Sequence, residues 1–170
     1  HDALPILTHL ENKYAAYNGL NLTWEVLEGI IKHNGPLTSK DLSKYIADYD
    51  ALHNLDLKKY SSAEAQIASL SDDIAYITHD LEDSIGAEII TYQDLEEIEF
   101  IAEYIHSIKH TYKNIDKARL IYEVARKLTH HLIDSLLSQT RNNIKTLKIE
   151  TESDIRNLGR PLVEFTENTV

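Results

Sequence analysis

The chain has 170 residues, 42% of them hydrophobic, no cysteine and a formal net charge of −11 at pH 7. This is enough for one domain with a buried core, but it excludes disulfides and a thiolate metal site. The acidic balance argues against binding duplex nucleic acid through a basic patch. The chain has no apolar run long enough for a membrane span, no signal-peptide pattern at its start and no cysteine, so we expect a cytoplasmic protein.

The first half of the chain has the spacing of short helices. One helix is predicted to follow the capping residue Thr23 and to end at residues 33–36, which read HNGP. A second helix is predicted to start within residues 37–41. One face of this second helix would carry Leu42, Tyr45 and Ile46. Residues 49–60 are the least regular, and we expect a loop there.

The second half contains longer helical patterns. Residues 61–64 read SSAE, a capping box that opens a helix of about six turns ending near Gly86. Residues 91–94 resemble another cap, the longest pattern runs from about 115 to 147, and a final short turn covers residues 154–159. Since no alternating strand pattern persists, the sequence predicts an all-α fold, an irregular multi-helix bundle, with residues 1–170 in a single helical domain.

An acidic row runs along the helix that follows the SSAE cap. Asp72, Tyr76, Asp80 and Asp83 are spaced four, four and three residues apart, which places them on one helical face. A solvated face is the ordinary interpretation of such a row. However, Asp80, Glu82 and Asp83 repel one another in the half of the helix where the macrodipole disfavours anions. A bound divalent cation would offset both effects, because hard metals accept carboxylate oxygens.

Histidines usually complete a catalytic metal centre of this kind, but the nine in this chain have no diagnostic spacing. His106 and His110 stand four apart on a predicted helix, as zinc-binding pairs do. The residues between them lack the glutamate of the HExxH motif, so we do not expect a metal there. His79-Asp80 looks like a metal-binding dipeptide, which by itself is a weak signal.

Three segments are familiar as motifs. They read YNGLNLTWEVLEGIIKHNGPL at 17–37, SAEAQIASLSDDIAYITHDLED at 62–83 and IRNLGRPLVEF at 155–165. In this order they resemble the deoxyguanosine triphosphate triphosphohydrolase family, a branch of the HD-domain phosphohydrolases. The resemblance covers most of the chain and is weakest over residues 38–60. It implies part of an HD-domain-like helical bundle that hydrolyses a deoxynucleoside triphosphate with a divalent metal such as Mg²⁺ or Mn²⁺.

The resemblance also implies roles for individual residues. Asp72 and Tyr76 match the family's Asp-x-x-x-Tyr pattern, in which the aspartate is a metal ligand. Tyr76 and Asp80 are implied to face the deoxyribose 3′ side of the nucleotide, and His79 is then not a ligand. Lys32, in the sequence KHNG, resembles a lysine near the triphosphate. The other interpretation of Lys32 is a surface lysine at the end of an amphipathic helix.

The family's early histidine and its His-Asp motif do not occur in the chain. His1-Asp2 does not replace them, because the residues that follow it resemble the segment after the motif. Methionine is also absent, so we expect a central piece of a longer protein. With Asp72 alone, metal binding should be weak or absent, no catalytic residue is assigned, and we expect the chain alone to be inactive. It would need an N-terminal segment or a partner chain, and the family's habit of assembly predicts a homo-oligomer.

A second hypothesis of a different class stays open. In it the chain is a non-catalytic helical interaction or regulatory domain, whose longest helix pairs with a partner through Val124, Leu128 and Leu132. Exposure of these three side chains would favour this hypothesis. A pocket lined by Asp72, Tyr76, Asp80 and Lys32 would favour the hydrolase.

Overall fold

The computed structural model describes residues 3–38, 42–167 and 169. Every regular element within these ranges is helical, which confirms the predicted all-α class. In chain order the elements are α1 (Ala3–Pro5), a π-helical turn (Ile6–Leu10), α2 (Trp24–Ile31), α3 (Lys44–His53), α4 (Ala63–Gly86), α5 (Tyr92–Leu95), α6 (Glu99–Thr111), α7 (Lys117–Thr146) and α8 (Glu152–Arg156). Among the described residues, no helix combines the length and the apolar character needed to cross a bilayer.

The residues group into two compact units. Unit 1 comprises His1–Ser69 and Thr140–Glu164, and unit 2 comprises Leu70–Gln139 and Phe165–Val170. Each unit has an apolar core of its own. The core of unit 1 contains Leu4, Leu27, Ile31, Leu37, Ile46, Leu55 and Leu57. The core of unit 2 contains Ile85, Leu95, Ile101, Ile105, Ile108, Leu120 and Val124. The single domain expected over residues 1–170 stays a prediction.

The segment before α2 turns on a glycine. Gly19 has φ 70°, and the next residue, Leu20, donates its N–H to the carbonyl of Leu7 at 2.8 Å. A Cβ atom at Gly19 would lie 2.4 Å from the carbonyl carbon and oxygen of Thr8. Real Cβ atoms do not approach backbone this closely, and the left-handed backbone disfavours any side chain. Both conditions require glycine at this position.

Helix α2 begins and ends as predicted. Thr23 occupies the predicted N-cap position with an extended backbone, but its side chain makes no capping hydrogen bond. After Ile31 the chain turns through Gly35, whose φ is 96°, and the N–H of Gly35 donates to the carbonyl of Lys32 at 2.8 Å. The predicted stop at HNGP is therefore confirmed, because only glycine readily adopts this φ.

Helix α3 begins later than predicted. Its first residue is Lys44, and the hydroxyl of Ser43 accepts the capping hydrogen bond. Leu37 and Thr38 are not helical, and the remaining residues of the predicted start, 39–41, lie outside the described residues. The capping serine therefore stands at residue 43, after the predicted start.

The same helix also ends later and packs differently from the prediction. It continues to His53 and stops at Asn54, whose φ is 45°, so the loop predicted for residues 49–60 is wrong over its first five residues. Ile46 is fully buried, but Tyr45 is 66% exposed. These two side chains therefore do not share the single buried face that was predicted.

The longer helices match their predictions. Helix α4 follows Ser62, whose hydroxyl accepts a backbone N–H from the first helical turn at 3.3 Å, and it ends at Gly86. Thr91 and Asp94 form a reciprocal capping box at the start of α5. The hydrogen bond from the Thr91 N–H lowers the pKa of Asp94. Helix α7 fills the pattern predicted for residues 115–147.

Candidate functional site

The predicted acidic row lies on α4 within unit 2. Asp72, Tyr76 and Asp80 are all exposed, Tyr76 at 69%. On an α-helix, residues four apart stand about 6 Å apart along the axis. The opposite side of this stretch is buried through Ile74 and Thr78. The helix therefore presents two carboxylates and a phenol from one surface, as the spacing predicted.

This row is an open face. Three cavities among the described residues, two in unit 1 and one in unit 2, are lined by other side chains. The row can supply carboxylate oxygens to a hard cation and can exchange hydrogen bonds with a sugar hydroxyl. The roles of Asp72 as a metal ligand and of Tyr76 and Asp80 as substrate ligands stay predictions.

The metal-ligating side chains do not form a complete centre. Among the described residues, no group of three or more His, Asp or Glu lies close enough to hold a metal ion. Catalytic metal sites usually take three protein ligands, whereas this row offers Asp72 alone in that role. His79, His106 and His110 are exposed, and within those same described ranges none of them belongs to such a group. The donors that the structure describes therefore do not make up a whole metal site.

Lys32 lies in unit 1 and is buried, with 1% of the residue exposed. Its Nζ donates to Oε1 of Glu28 at 2.6 Å, and both side chains are 0% exposed. The interpretation of Lys32 as a surface lysine is therefore wrong. Burial lowers the pKa of Lys32, and the hydrogen bond to Glu28 opposes this effect without cancelling it.

Arg156 completes a buried charge cluster with Lys32 and Glu28. Its guanidinium donates to the same oxygen of Glu28 and, at 2.6 Å, to Oε1 of Glu152. The guanidinium carbon also lies 4.8 Å from the centre of the Trp24 ring, a cation–π distance. Burial by itself would lower the pKa of Arg156, but the hydrogen bonds to Glu28 and Glu152 outweigh burial and raise it. One buried carboxylate thus serves two cations.

Two members of this cluster, Glu28 and Arg156, were missed in the sequence. The pairing of Glu28 with Lys32 had a signal, because they stand four residues apart on one helix. Arg156 had none, because it is 128 residues away from Glu28 in the chain. Only the folded structure of unit 1 brings them together.

Gln66 joins two of the three motif segments inside unit 1. Its Oε1 accepts the N–H of Leu162 at 2.9 Å and of Val163 at 3.2 Å, and its Nε2 donates to the carbonyl of Ser61 at 2.8 Å. The Glu28–Arg156 pair links the first segment to the third. The three segments that carry the resemblance therefore contact one another.

These observations define an all-α protein with an acidic and aromatic face on one helix and a buried ion-pair cluster. No family model matches the chain. Over 167 residues, 98% of the chain, it is 57% identical to the deoxyguanosinetriphosphate triphosphohydrolase-like protein of Rickettsia canadensis. Over the same span it is 56% and 55% identical to the proteins of that name from Rickettsia felis and Rickettsia prowazekii.

These matches confirm the resemblance drawn from the three motif segments. Over nearly its whole length the chain is similar, at 55–57% identity, to proteins named deoxyguanosinetriphosphate triphosphohydrolase-like. It spans 44% of the length of the Rickettsia canadensis protein and 43% of the other two.

Proposed function

We propose that this chain is part of a deoxynucleoside triphosphate triphosphohydrolase. The observation that carries the proposal is the 57% identity over 98% of the chain to a protein named for that activity. In the proposed reaction, water adds at the α-phosphate, and the products are a deoxynucleoside and inorganic triphosphate. Such a reaction depends mainly on positioning and on charge stabilisation, which are the tasks assigned below to individual residues.

Asp72 is proposed as one ligand of a divalent metal. When bound, such a metal lowers the pKa of a water molecule and neutralises phosphoryl oxygens. Because the described residues offer no group of three suitable donors, the remaining ligands would have to come from elsewhere. The contribution of α4 is then one carboxylate oxygen at a fixed position on the helix.

Tyr76 and Asp80 are proposed to orient the deoxyribose. The carboxylate of Asp80 would accept a hydrogen bond from the 3′-hydroxyl, which favours substrates that carry this group. The Tyr76 ring, one turn earlier on the same face, would pack beside the sugar. Holding the sugar at two points converts binding energy into orientation of the α-phosphate.

The proposed contact of Lys32 with the triphosphate has a structural requirement. The cluster of Lys32, Glu28 and Arg156 has two positive charges and one negative charge, and Glu152, the exposed partner of Arg156, brings the sum to zero. The ammonium group has N–H donors left beside the one that binds Glu28 at 2.6 Å, but its side chain is 0% exposed, so a phosphate could reach it only if it became accessible. The cluster thus supports a positioning role for Lys32 more directly than a contact with substrate.

The structure does not expose the docking surface that was predicted for the alternative, a non-catalytic interaction domain. Val124, Leu128 and Leu132 on α7 are 2%, 6% and 6% exposed. Their side chains are therefore already buried and cannot be the docking stripe. The cytoplasmic location and the homo-oligomer stay predictions.

The purified chain should release no triphosphate from dGTP in the presence of Mn²⁺. The physical reason is that a single carboxylate does not hold a catalytic metal without further ligands. The measurement is triphosphate appearance by ion-exchange chromatography against a sample without protein. Clear release would refute the expected inactivity of the chain while supporting the proposed reaction.

Deoxynucleotide binding should depend on the 3′-hydroxyl through Asp80. In NMR titrations with Mg²⁺, we expect dGTP to bind about tenfold more tightly than 2′,3′-dideoxyGTP, since hydrogen bonds to charged groups are worth about 1.5–3 kcal/mol. Asp80→Asn should remove most of this preference.

The matched control is Asp73→Asn, which removes the same charge from an exposed position on α4 beside the row. This variant should keep the preference for dGTP. Absence of any dGTP binding at millimolar concentration, or equal binding of both nucleotides by the unaltered chain, would count against the proposed function.

A further inference from the structure

Helix α2 carries apolar side chains on two sides. Leu27 and Ile31 are 4% and 3% exposed and belong to the core of unit 1. Val26 and Ile30, on the outer side, are 47% and 38% exposed. A surface helix ordinarily carries polar side chains on the side that faces away from its core. The outer side of α2 therefore has the composition of a contact surface.

This outer side forms one wall of a groove of about 820 Å³ within unit 1. Gly29 lets α2 approach the start of α4 closely, since a Cβ atom at Gly29 would lie 2.9 Å from the Cβ of Ala65. Ile144, which is 40% exposed, lies in another part of the lining. Along α2 the lining residues 26, 29 and 30 stand at positions i, i+3 and i+4, the spacing by which one helix packs against another.

Four acidic side chains line this groove together with its apolar residues. Glu25, Glu64, Glu150 and Glu152 all belong to the lining, which includes no lysine or arginine among the residues that the structure describes. Glu152 is paired with Arg156. Glu64 and Glu150 are exposed and form no ion pair with any residue that the structure describes. The groove thus presents apolar surface together with uncompensated negative charge.

We propose that this acidic groove binds an amphipathic helix whose apolar stripe is flanked by lysines and arginines. The stripe would cover Val26, Ile30 and Ile144, as amphipathic helices do when they bind apolar grooves. The flanking cations would pair with Glu64 and Glu150, so charge complementarity selects a basic partner. The proposal is independent of the row on α4 and of the hydrolase assignment.

A synthetic helical peptide tests the proposal directly. The probe is about five turns long, with leucines along one stripe and lysines on both flanks, and its partner probe has glutamate at every lysine position. Fluorescence anisotropy should show binding of the lysine probe, weaker binding at high salt and no binding of the glutamate probe. Glu64→Gln/Glu150→Gln should weaken binding of the lysine probe about tenfold.

Matched controls separate the groove from general attraction to an acidic protein. Glu97→Gln/Glu103→Gln removes two exposed carboxylates from unit 2 and should change the affinity less than about twofold. Ile30→Ser should also weaken binding. Its control, Ile67→Ser, alters a 42% exposed isoleucine that does not line the groove and should have little effect. Circular dichroism confirms that each variant keeps its helices.

Three results would overturn the proposal. They are a failure of the lysine probe to bind, an equal loss of affinity in the groove and control variants, and binding of the glutamate probe. Sedimentation of the chain without a probe gives a further check. Self-association that Ile30→Ser abolishes and Ile67→Ser does not would make a second copy of the chain the occupant, in place of a basic helix.

Discussion

Replacing Glu28 with glutamine should lower the free energy of unfolding by about 3–5 kcal/mol, the usual cost of removing one partner from a buried ion pair. Glu28 lies between Lys32 and Arg156 in unit 1, and the side chains of Glu28 and Lys32 are 0% exposed. A neutral amide would leave the Lys32 ammonium buried without a counter-charge. The loss should appear as a lower midpoint in urea denaturation followed by circular dichroism.

Two further variants test the cause of this effect. Glu96→Gln removes a comparable pair with Lys109, at 2.9 Å, whose side chains are 31% and 41% exposed, and it should cost less than about 1 kcal/mol. Glu28→Gln combined with Lys32→Met removes the uncompensated lysine as well and should regain much of the loss. If Glu28→Gln proved as mild as Glu96→Gln, the buried cluster would not be a major source of stability.

Replacing Gly19 with alanine should lower the free energy of unfolding of unit 1 by about 3 kcal/mol. A left-handed residue with a side chain costs about 1–2 kcal/mol, and forcing an extra methyl group into packed structure costs about 1–3 kcal/mol more. The methyl group would meet the Thr8 backbone at 2.4 Å, and backbone cannot rotate away as a flexible side chain can. Thermal and urea denaturation measure the effect.

Gly159 provides the control for this substitution. Its φ is 74°, close to that of Gly19, but a Cβ atom there would meet nothing within 4 Å. Gly159→Ala should therefore show the backbone cost alone, about 1–2 kcal/mol. Equal losses at both positions would show that the contact with Thr8 relaxes without cost, contrary to this expectation.

The elements that were predicted well are those with repeated apolar spacing or a clear cap. Helix α4 has Ser62 at its start and Gly86 at its end, and α7 has a long apolar stripe. Helix α3 was misplaced because Ile46 is its only buried residue. A single buried side chain does not define a helical periodicity. The ends of α3 are therefore marked only by Ser43 and Asn54, which are weaker sequence signals of helix boundaries.

In the candidate site, too, features that depend on local spacing were predicted, and features that depend on distant residues were not. The positions of Asp72, Tyr76 and Asp80 on one face follow from local spacing along a single helix, and the structure places them there. The surroundings of Lys32 depend on Arg156, which is far from it in the chain. The residue types by themselves predict that Lys32 and Glu28 are exposed, because lysine and glutamate are seldom fully buried. Periodicity within one helix does not contain information about a partner from another.

Trp24 is the only tryptophan in the chain. Its indole N–H donates to the carbonyls of His53 and Asn54 at 3.2 Å, and its ring faces the Arg156 guanidinium. All four residues belong to unit 1. Tryptophan emission is therefore a natural optical reporter of unit 1 alone, whereas the far-ultraviolet spectrum averages over every helix. Recording both during a single melt reveals whether the two units lose their structure at the same temperature.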